Sequence, residues 1–291
     1  MSLKESLEAG KFVVTVEIGT GIGTDTTELE EIGELLLGRI DGGNVTDQQS
    51  AVMHLGSLVS CHLLKKMGHD PIFQVTCRDR NRLALQSDLL SASVLGIRNV
   101  LALTGDALSL GNHPQAKSVY DLDSVQLLWV MKKLNEGYDM AGGELNGKTD
   151  FFPGAVVNPG ADTEAAFELQ LIKMEQKIAV GAKFFQTQAI YEVDTFAKFM
   201  KRAEGFNIPI LAGIIPLKSA GMARYMNKNV AGVFVPDDLI DKMAKTEDKV
   251  QTSVEIAADI IKGLKDMCQG VHIMPIGWEK HVPAILDATG L

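Results

Sequence analysis

The chain has 291 residues, of which 46% are hydrophobic and 22% charged, with a formal net charge of −9 at pH 7. That charge argues against nucleic acid as a partner, because binding a phosphate backbone requires clustered lysines and arginines. The three cysteines are widely spaced and form no Cys-x-x-Cys pair, which argues against a disulfide framework and against a zinc or iron–sulfur site.

The beginning of the chain carries charges where a signal peptide would be apolar. No apolar run in the sequence has the length of a membrane-spanning helix. We therefore expect a reduced, cytoplasmic protein with no membrane partner.

Short apolar runs recur along the chain and predict buried strands. The first, Phe12–Ile18, is apolar at nearly every position, which is typical of a parallel sheet buried on both faces. Glu17 interrupts this run near its end. The other predicted strands cover residues 40–45, 71–75, 99–103, 152–157, 183–187, 209–214 and 271–274.

Helical periodicity fills the connections between these strands. Helix 51–67 is predicted from a stripe formed by Val52, Leu55, Val59 and Leu63. For helix 163–180, Asp162 is the expected N-cap. The remaining predicted helices cover residues 26–37, 82–95, 124–136, 193–204, 220–227, 236–245, 253–267 and 282–288.

The alternation of strand and helix predicts an α/β protein, and its number of units favours a single (β/α)8 barrel domain over residues 1–291. The glycine-rich stretch around 137–150 is expected to be a surface excursion of that domain. An open, doubly wound sheet is the second choice. Its Gly-x-Gly-x-x-Gly fingerprint is not met, because Gly19, Gly21 and Gly23 have the wrong spacing.

Polar side chains stand where most of the predicted strands end. In a (β/α)8 barrel these ends share one rim, and catalytic residues are built on it. Turn chemistry alone also enriches strand ends in polar residues, so one such residue carries little weight. The rim residues are Glu17, Asn44, Thr46, Asp47, Gln74, Thr76, Thr104, Asp106, Asn158, Gln186 and Gln188.

The alternation of side chains along a strand separates the candidates on the sixth strand. Gln186 and Gln188 share one face, and Lys183 falls on the other. If the glutamines face the barrel interior, Lys183 faces outward, which weakens a Schiff-base mechanism. Lys177 is expected to be a solvated cation at a helix end, with a phosphate contact as the alternative. His272 carries no readable signal.

These segments resemble the methylenetetrahydrofolate reductase family, in order and over nearly the whole chain. The part from Gly154 to Gln188 is the most specific. The resemblance implies a flavin-bearing (β/α)8 barrel that reduces 5,10-methylenetetrahydrofolate to 5-methyltetrahydrofolate. The residues that carry it are Glu17, the stretches Asn44–Asp47, Leu103–Asp106 and Gly154–Pro159, and Lys177 to Gln188.

The resemblance also implies roles for single residues. Glu17 corresponds to the general acid that opens the imidazolidine ring of the folate. Asp106 corresponds to the carboxylate that holds the pterin ring, and Gln188 to an amide that binds the folate beside the hydride path. The positions that would line the flavin are Thr46, Gln74, Thr104, Gly105, Asp106, Ser118, Val119 and Lys177, with Lys177 at its phosphate.

Some positions depart from the family pattern. Glu17 is followed by Ile-Gly-Thr-Gly instead of a proline pair, Thr104 stands in place of an arginine, and Gln170 stands in place of an acidic residue near the adenosine of FAD. The cofactor is therefore expected to be FAD or FMN. Electrons would come from NAD(P)H or from a separate iron–sulfur subunit, in a homo- or hetero-oligomer.

Two other functions stay open on the sequence. One is a Schiff-base lyase on the same fold that uses Lys183 or Lys177. The other is a barrel that binds a pterin or docks a partner without turnover.

Overall fold

A computed structural model describes residues 1–161 and 163–291, and within them eight parallel strands close a barrel in sequence order, β1 to β8. The last strand pairs with the first, with Val13 opposite Gly270. This confirms the predicted (β/α)8 architecture. The strands are β1 Val13–Ile18, β2 Gly42–Val45, β3 Pro71–Thr76, β4 Asn99–Leu103, β5 Phe152–Val157, β6 Phe184–Ala189, β7 Ile210–Ile214 and β8 Gly270–Ile273.

Helices surround this barrel and connect its strands. Among the described residues they are α1 Leu3–Glu8, α2 Thr27–Leu36, α3 Ser57–Lys66, α4 Arg82–Val94, α5 Ser124–Glu136, α6 Glu164–Ala179, α7 Val193–Ala203, α8 Ala220–Asn229, α9 Asp237–Lys245, α10 Lys249–Leu264 and α11 Val282–Thr289. No helix in this part of the chain is both long and apolar enough to cross a membrane.

Helix α1 was not predicted, and it packs against the interior of the barrel near the strand starts. Its N-cap is Ser2, whose hydroxyl accepts from the Glu5 amide while the Glu5 carboxylate accepts from the Ser2 amide. Leu3 and Leu7 then join a buried cluster with Phe152 and Phe184 of the barrel wall. A helix this short is marginal alone, so these tertiary contacts decide its formation.

The predicted helix 51–67 is wrong in its first turns. Residues Gln49–Ala51 form a 3-10 turn, and α3 begins only at Ser57. The predicted apolar stripe of this helix is also wrong, because Val59 is 51% exposed while Cys61 and Leu64 are fully buried.

The start of α6 also differs from its prediction. Thr163 is the N-cap, and its hydroxyl accepts from the Ala166 amide at 3.2 Å. The expected N-cap, Asp162, lies outside the described residues.

Candidate active site

A cavity of about 800 Å³ opens at the carboxyl-terminal mouth of the barrel. This volume suits a cofactor together with part of a substrate. The position is the one where (β/α)8 barrels carry their chemistry. The structure brings all three predicted catalytic residues to its lining, namely Glu17, Asp106 and Gln188.

Glu17 lies near the end of β1, and its side chain is half-buried. Burial raises the pKa of this carboxyl group to about 7, and the negative charge of Glu279 acts in the same direction. Hydrogen bonds from Gln49 and Gln74 oppose the rise, and the Gln49 amide nitrogen lies 2.8 Å from Glu17 Oε1. A carboxyl group with this pKa can hold a proton near neutral pH and release it to a substrate.

A buried polar layer lies deeper in the barrel than Glu17. Gln186 of β6 and Asn44 of β2 exchange two amide hydrogen bonds of 2.8 and 3.3 Å across the interior. Gln186 also donates to Thr15 at 3.2 Å. Gln186 therefore faces inward as predicted, and its amide is engaged in holding opposite sides of the barrel together.

His272 belongs to this polar layer, although the sequence offered no role for it. Its Nδ1 lies 3.0 Å from the Thr15 hydroxyl, and burial lowers the pKa of the imidazole to about 3. The ring is therefore neutral at physiological pH. The alignment of β8 with β1 could have identified His272, because it lies directly opposite the inward-facing Thr15.

The β4 end carries Thr104, Gly105 and Asp106, and all three line the cavity. Gly105 has φ +95°, and a Cβ there would stand 2.9 Å from the Cβ of Arg78. Only glycine meets both conditions without strain. At Gly105 no side chain covers the backbone of this loop, which lines the cavity beside the exposed Asp106 side chain.

Arg78, two residues after β3, was not among the residues predicted for the site, and its side chain is only 1% exposed. It pairs with Asp79 at 2.7 Å and donates to the backbone carbonyls of Gln48 at 3.1 Å and of Asp106 at 3.4 Å. One guanidinium group thus joins the loops that follow β2 and β4. The available signal was a run of charged residues, Arg78 to Arg80, immediately after a buried strand.

Asp47 is buried, and it lines the cavity. Its Oδ2 accepts from the Thr76 amide at 2.8 Å and from the Thr76 hydroxyl at 2.9 Å, and it pairs with Arg80. These contacts hold the β2 end against the β3 end, so Asp47 is a structural member of the rim.

Lys177 corrects one prediction, because it is not a solvated helix-end cation. Its side chain is buried, its Nζ donates to the Val156 carbonyl at 2.7 Å, and it lines the cavity. Burial lowers its pKa to about 8, and the neighbouring Lys173, which also lines the cavity, acts in the same direction. The two lysines form a cationic flank on the α6 side of the cavity.

Strand β6 runs to Ala189, two residues beyond its predicted end, so Gln188 lies within the strand. Phe184 belongs to the inner cluster, and Gln186 follows it on the same face. The register with β7 shifts between Gln186 and Ala189, and Gln188 lines the cavity within this irregular part of the strand. Lys183 is exposed, and it is absent from the lining of the cavity.

A family model described as methylenetetrahydrofolate reductase matches residues 3–290. The chain belongs to the methylenetetrahydrofolate reductase family. The resemblance noted in the sequence is thereby confirmed.

Curated relatives in this family include methylenetetrahydrofolate reductase 2 of Schizosaccharomyces pombe, which is 28% identical over 75% of this chain and 35% of that protein. The 5,10-methylenetetrahydrofolate reductase of Pectobacterium carotovorum is 26% identical over 69% of this chain and 65% of that protein. The chain therefore spans about a third of the length of the yeast reductase that it matches.

Solved structures support the fold of this reductase family member. A Clostridium thermocellum protein, described as binding two copies of 5-methyl-5,6,7,8-tetrahydrofolic acid, superposes with a TM-score of 0.68. It is 18% identical, and the match covers 99% of this chain and 97% of that one. A 2,3-dimethylmalate lyase matches with a TM-score of 0.54 at 11% identity. At these identities the likeness concerns the fold alone.

The flavin-lining positions that the resemblance implies divide into two groups. Gln74, Thr104, Gly105, Asp106 and Lys177 line the cavity. Thr46 is buried at the β2 end, and Ser118 and Val119 are exposed on the loop before α5, so these three stand outside the cavity lining. Within residues 1–161 and 163–291, no three His, Cys, Asp or Glu side chains are grouped as metal ligands.

Proposed function

We propose that the chain reduces 5,10-methylenetetrahydrofolate to 5-methyltetrahydrofolate, with hydride supplied by a reduced flavin and Glu17 as general acid. The observation that carries this proposal is the half-buried Glu17 carboxyl, with its pKa raised to about 7, at the mouth of the barrel of a chain from this family. The folate described for the Clostridium thermocellum protein supports the substrate class.

The residues around the cavity fit a flavin. Leu103, Val125 and Val156 offer apolar surface for a planar ring system, and the Gly105 backbone lies open beside them. Lys177 and its neighbour Lys173 offer the charge that a phosphate group requires. When bound, the flavin would supply the hydride, and the protein would supply orientation and electrostatics.

The chain's own residues would act on the folate. Glu17 would donate its proton to an imidazolidine nitrogen, so that the ring C–N bond breaks and its electron pair stays on that nitrogen. The one-carbon unit then becomes an electrophilic iminium that accepts hydride. The Asp106 carboxylate would stabilise the positive charge that develops, and the Gln188 amide would hold the folate in place.

A single-turnover experiment tests the proposed reaction. The purified chain, loaded with FMN or FAD and reduced anaerobically by light, is mixed with 5,10-methylenetetrahydrofolate. We expect the flavin absorbance to return in step with formation of 5-methyltetrahydrofolate. A flavin that stays reduced, or a chain that takes up no flavin, would contradict the proposal.

A change at Lys177 is expected to weaken flavin binding through the phosphate. Lys177→Met should raise the Kd of FMN by about 10- to 100-fold, because it removes a charge-assisted hydrogen bond. The measurement is quenching of flavin fluorescence, and Lys183→Met serves as the matched control on the outer face. Riboflavin, which has no phosphate, should bind wild type and Lys177→Met equally. If FMN and riboflavin both bind Lys177→Met more weakly, and by the same factor, Lys177 contacts the flavin ring or stabilises the fold and does not bind the phosphate.

The rate of folate reduction is expected to fall as the pH rises through about 7. The raised pKa of Glu17 means that its carboxyl is protonated below this pH and ionised above it, and only the protonated form can act as the acid. The measurement is the single-turnover rate at pH values on either side of 7. Flavin reduction by NAD(P)H is the control, since it needs no proton from Glu17. A folate-reduction rate that stays flat through this range would exclude Glu17.

The flavin of the proposed reaction requires an electron donor. We propose NAD(P)H or a separate iron–sulfur subunit as the source, and an oligomeric assembly. Several curated relatives carry NADH or NADPH in their names, which supports the nucleotide. Anaerobic flavin reduction by each nucleotide distinguishes direct transfer from dependence on a partner.

A Schiff-base lyase remains a second candidate, and its support is the lowered pKa of Lys177 at the cavity wall. Lys183 is exposed on the outer face and does not support it. Borohydride trapping with substrate separates the two functions, because only the lyase would give a covalent adduct on Lys177.

A further inference from the structure

The turn that follows β2 has an unusual backbone conformation. Gln48, Ser50 and Ala51 have φ values of 50°, 54° and 59°, in a region that residues with a Cβ rarely adopt. Strain of this kind persists only where surrounding contacts determine the backbone, and it is frequent near functional sites. This turn carries Gln49, whose side chain reaches the Glu17 carboxyl.

Contacts from three directions hold the turn. The buried Arg78 donates to the Gln48 carbonyl at 3.1 Å. The Gln48 side chain exchanges two hydrogen bonds of 3.0 Å with the backbone of His54. Gly111 packs so closely on Ala51 that an added Cβ would overlap the Ala51 carbonyl oxygen. The position of Gln49 is thus determined by loops that follow β2, β3 and β4.

The contact between Gln49 and Glu17 has a defined direction. The amide Nε2 donates to Oε1 at 2.8 Å, and an amide N–H favours a carboxyl oxygen that carries no proton. Oε1 is therefore a disfavoured position for the proton of a neutral Glu17, and Gln74 donates to the same carboxyl group. Glu17 also lies among other titratable groups. In an adjoining cavity of about 220 Å³ these are Asp25, Glu28 and Glu279, and in the main cavity they are Asp47, Arg78, Asp106, Asp123, Lys173, Lys177 and His272.

We propose that Gln49 is a positioning residue for the general acid: it holds Glu17 Oε1 and lowers the pKa of the carboxyl group, and it is itself held in place by Arg78 and Gly111. The hydrogen bond between Gln49 and Glu17 is present whatever reaction the protein catalyses, and its role in positioning a general acid rests on the proposed function.

The experiment is a direct titration of Glu17 by carbon NMR, with protein labelled at the glutamate carboxyl carbon and the signal assigned by Glu17→Gln. In Gln49→Leu we expect the titration midpoint of Glu17 to move upward by about one pH unit, because a donor to the carboxylate is lost. Gln251→Leu is the matched control. Gln251 donates to Glu255 at 3.0 Å on the exposed face of α10, so Gln251→Leu removes the same kind of amide–carboxylate hydrogen bond far from Glu17.

A second variant tests the turn without touching Glu17 or Gln49. Gly111→Ala forces Ala51 to move, and we expect the Glu17 midpoint to rise in the same direction as in Gln49→Leu. A midpoint that stays unchanged in Gln49→Leu would overturn the proposal, and so would an equal shift in Gln251→Leu. The titration needs no substrate. If the midpoint moves but wild type does not reduce methylenetetrahydrofolate, the contact stands and the proposed function fails.

Discussion

Replacing Glu17 by Gln is expected to slow the reduction of methylenetetrahydrofolate by about 10²- to 10⁴-fold, the usual contribution of a positioned general acid. The amide has nearly the same shape as the carboxyl, but it has no acidic proton. The half-buried site and its hydrogen bond from Gln49 should tolerate it, because an amide oxygen also accepts. We therefore expect the flavin to bind unchanged.

Single-turnover kinetics and flavin titration measure these two expectations on the same preparation. Reduction of the flavin by its electron donor should be unaffected, since that step does not involve the folate ring. Glu255→Gln on α10 is the matched control, because Glu255 is exposed and lies outside the cavity lining. Unchanged folate reduction in Glu17→Gln would show that the acid is another group. A wild-type chain that binds folate without turnover would favour a non-catalytic pterin-binding function.

Replacing Phe184 by Ala is expected to lower the free energy of unfolding by about 3–5 kcal/mol. Phe184 is fully buried and stacks on Phe152, with the ring centroids 5.4 Å apart. Its ring lies over Gly154, where an added Cβ would overlap it. The cluster includes Leu3 of α1, so the cavity left by alanine would lie under α1 where the barrel wall cannot collapse easily.

Urea unfolding followed by circular dichroism measures this loss. Phe234→Ala is the matched control, because Phe234 is 56% exposed and its removal should cost less than about 0.5 kcal/mol. A loss below about 1 kcal/mol for Phe184→Ala would mean that the inner cluster repacks around the smaller side chain.

The strands and their order could be predicted from the sequence because most of the strands are largely apolar runs that are buried on both faces. β4 and β5 begin and end where the sequence predicted, and so does α5. Side-chain alternation also separated Gln186 from Lys183, since neighbouring positions on a strand face opposite ways whatever surrounds them. Strand boundaries and side-chain alternation are local properties, so they can be read from a single sequence.

The candidate site was predictable in part for the same reason. Glu17 and Gln188 lie near the ends of buried strands and Asp106 follows one, and parallel strands of a closed barrel bring such ends to one rim. The chemical roles of these three residues came from the family resemblance, and they stay predictions until the variants are measured.

Other features depend on contacts between distant residues. Helix α1 is too short to form alone and exists because Leu3 enters the barrel cluster. Lys177 looked solvated because a position late in a helix does not reveal which neighbour covers it. His272 had no local signal, because its partner Thr15 lies 257 residues away in the chain.

The barrel and the polar residues of its rim follow from the sequence, because hydrophobic periodicity and the ends of strands are local patterns. The contacts that hold the rim loops in place are visible in the tertiary structure alone. Arg78 reaches the Gln48 carbonyl across 30 residues, and the turn it holds presents Gln49 to Glu17. Such contacts join separate loops, so their energies depend on packing that no local pattern contains.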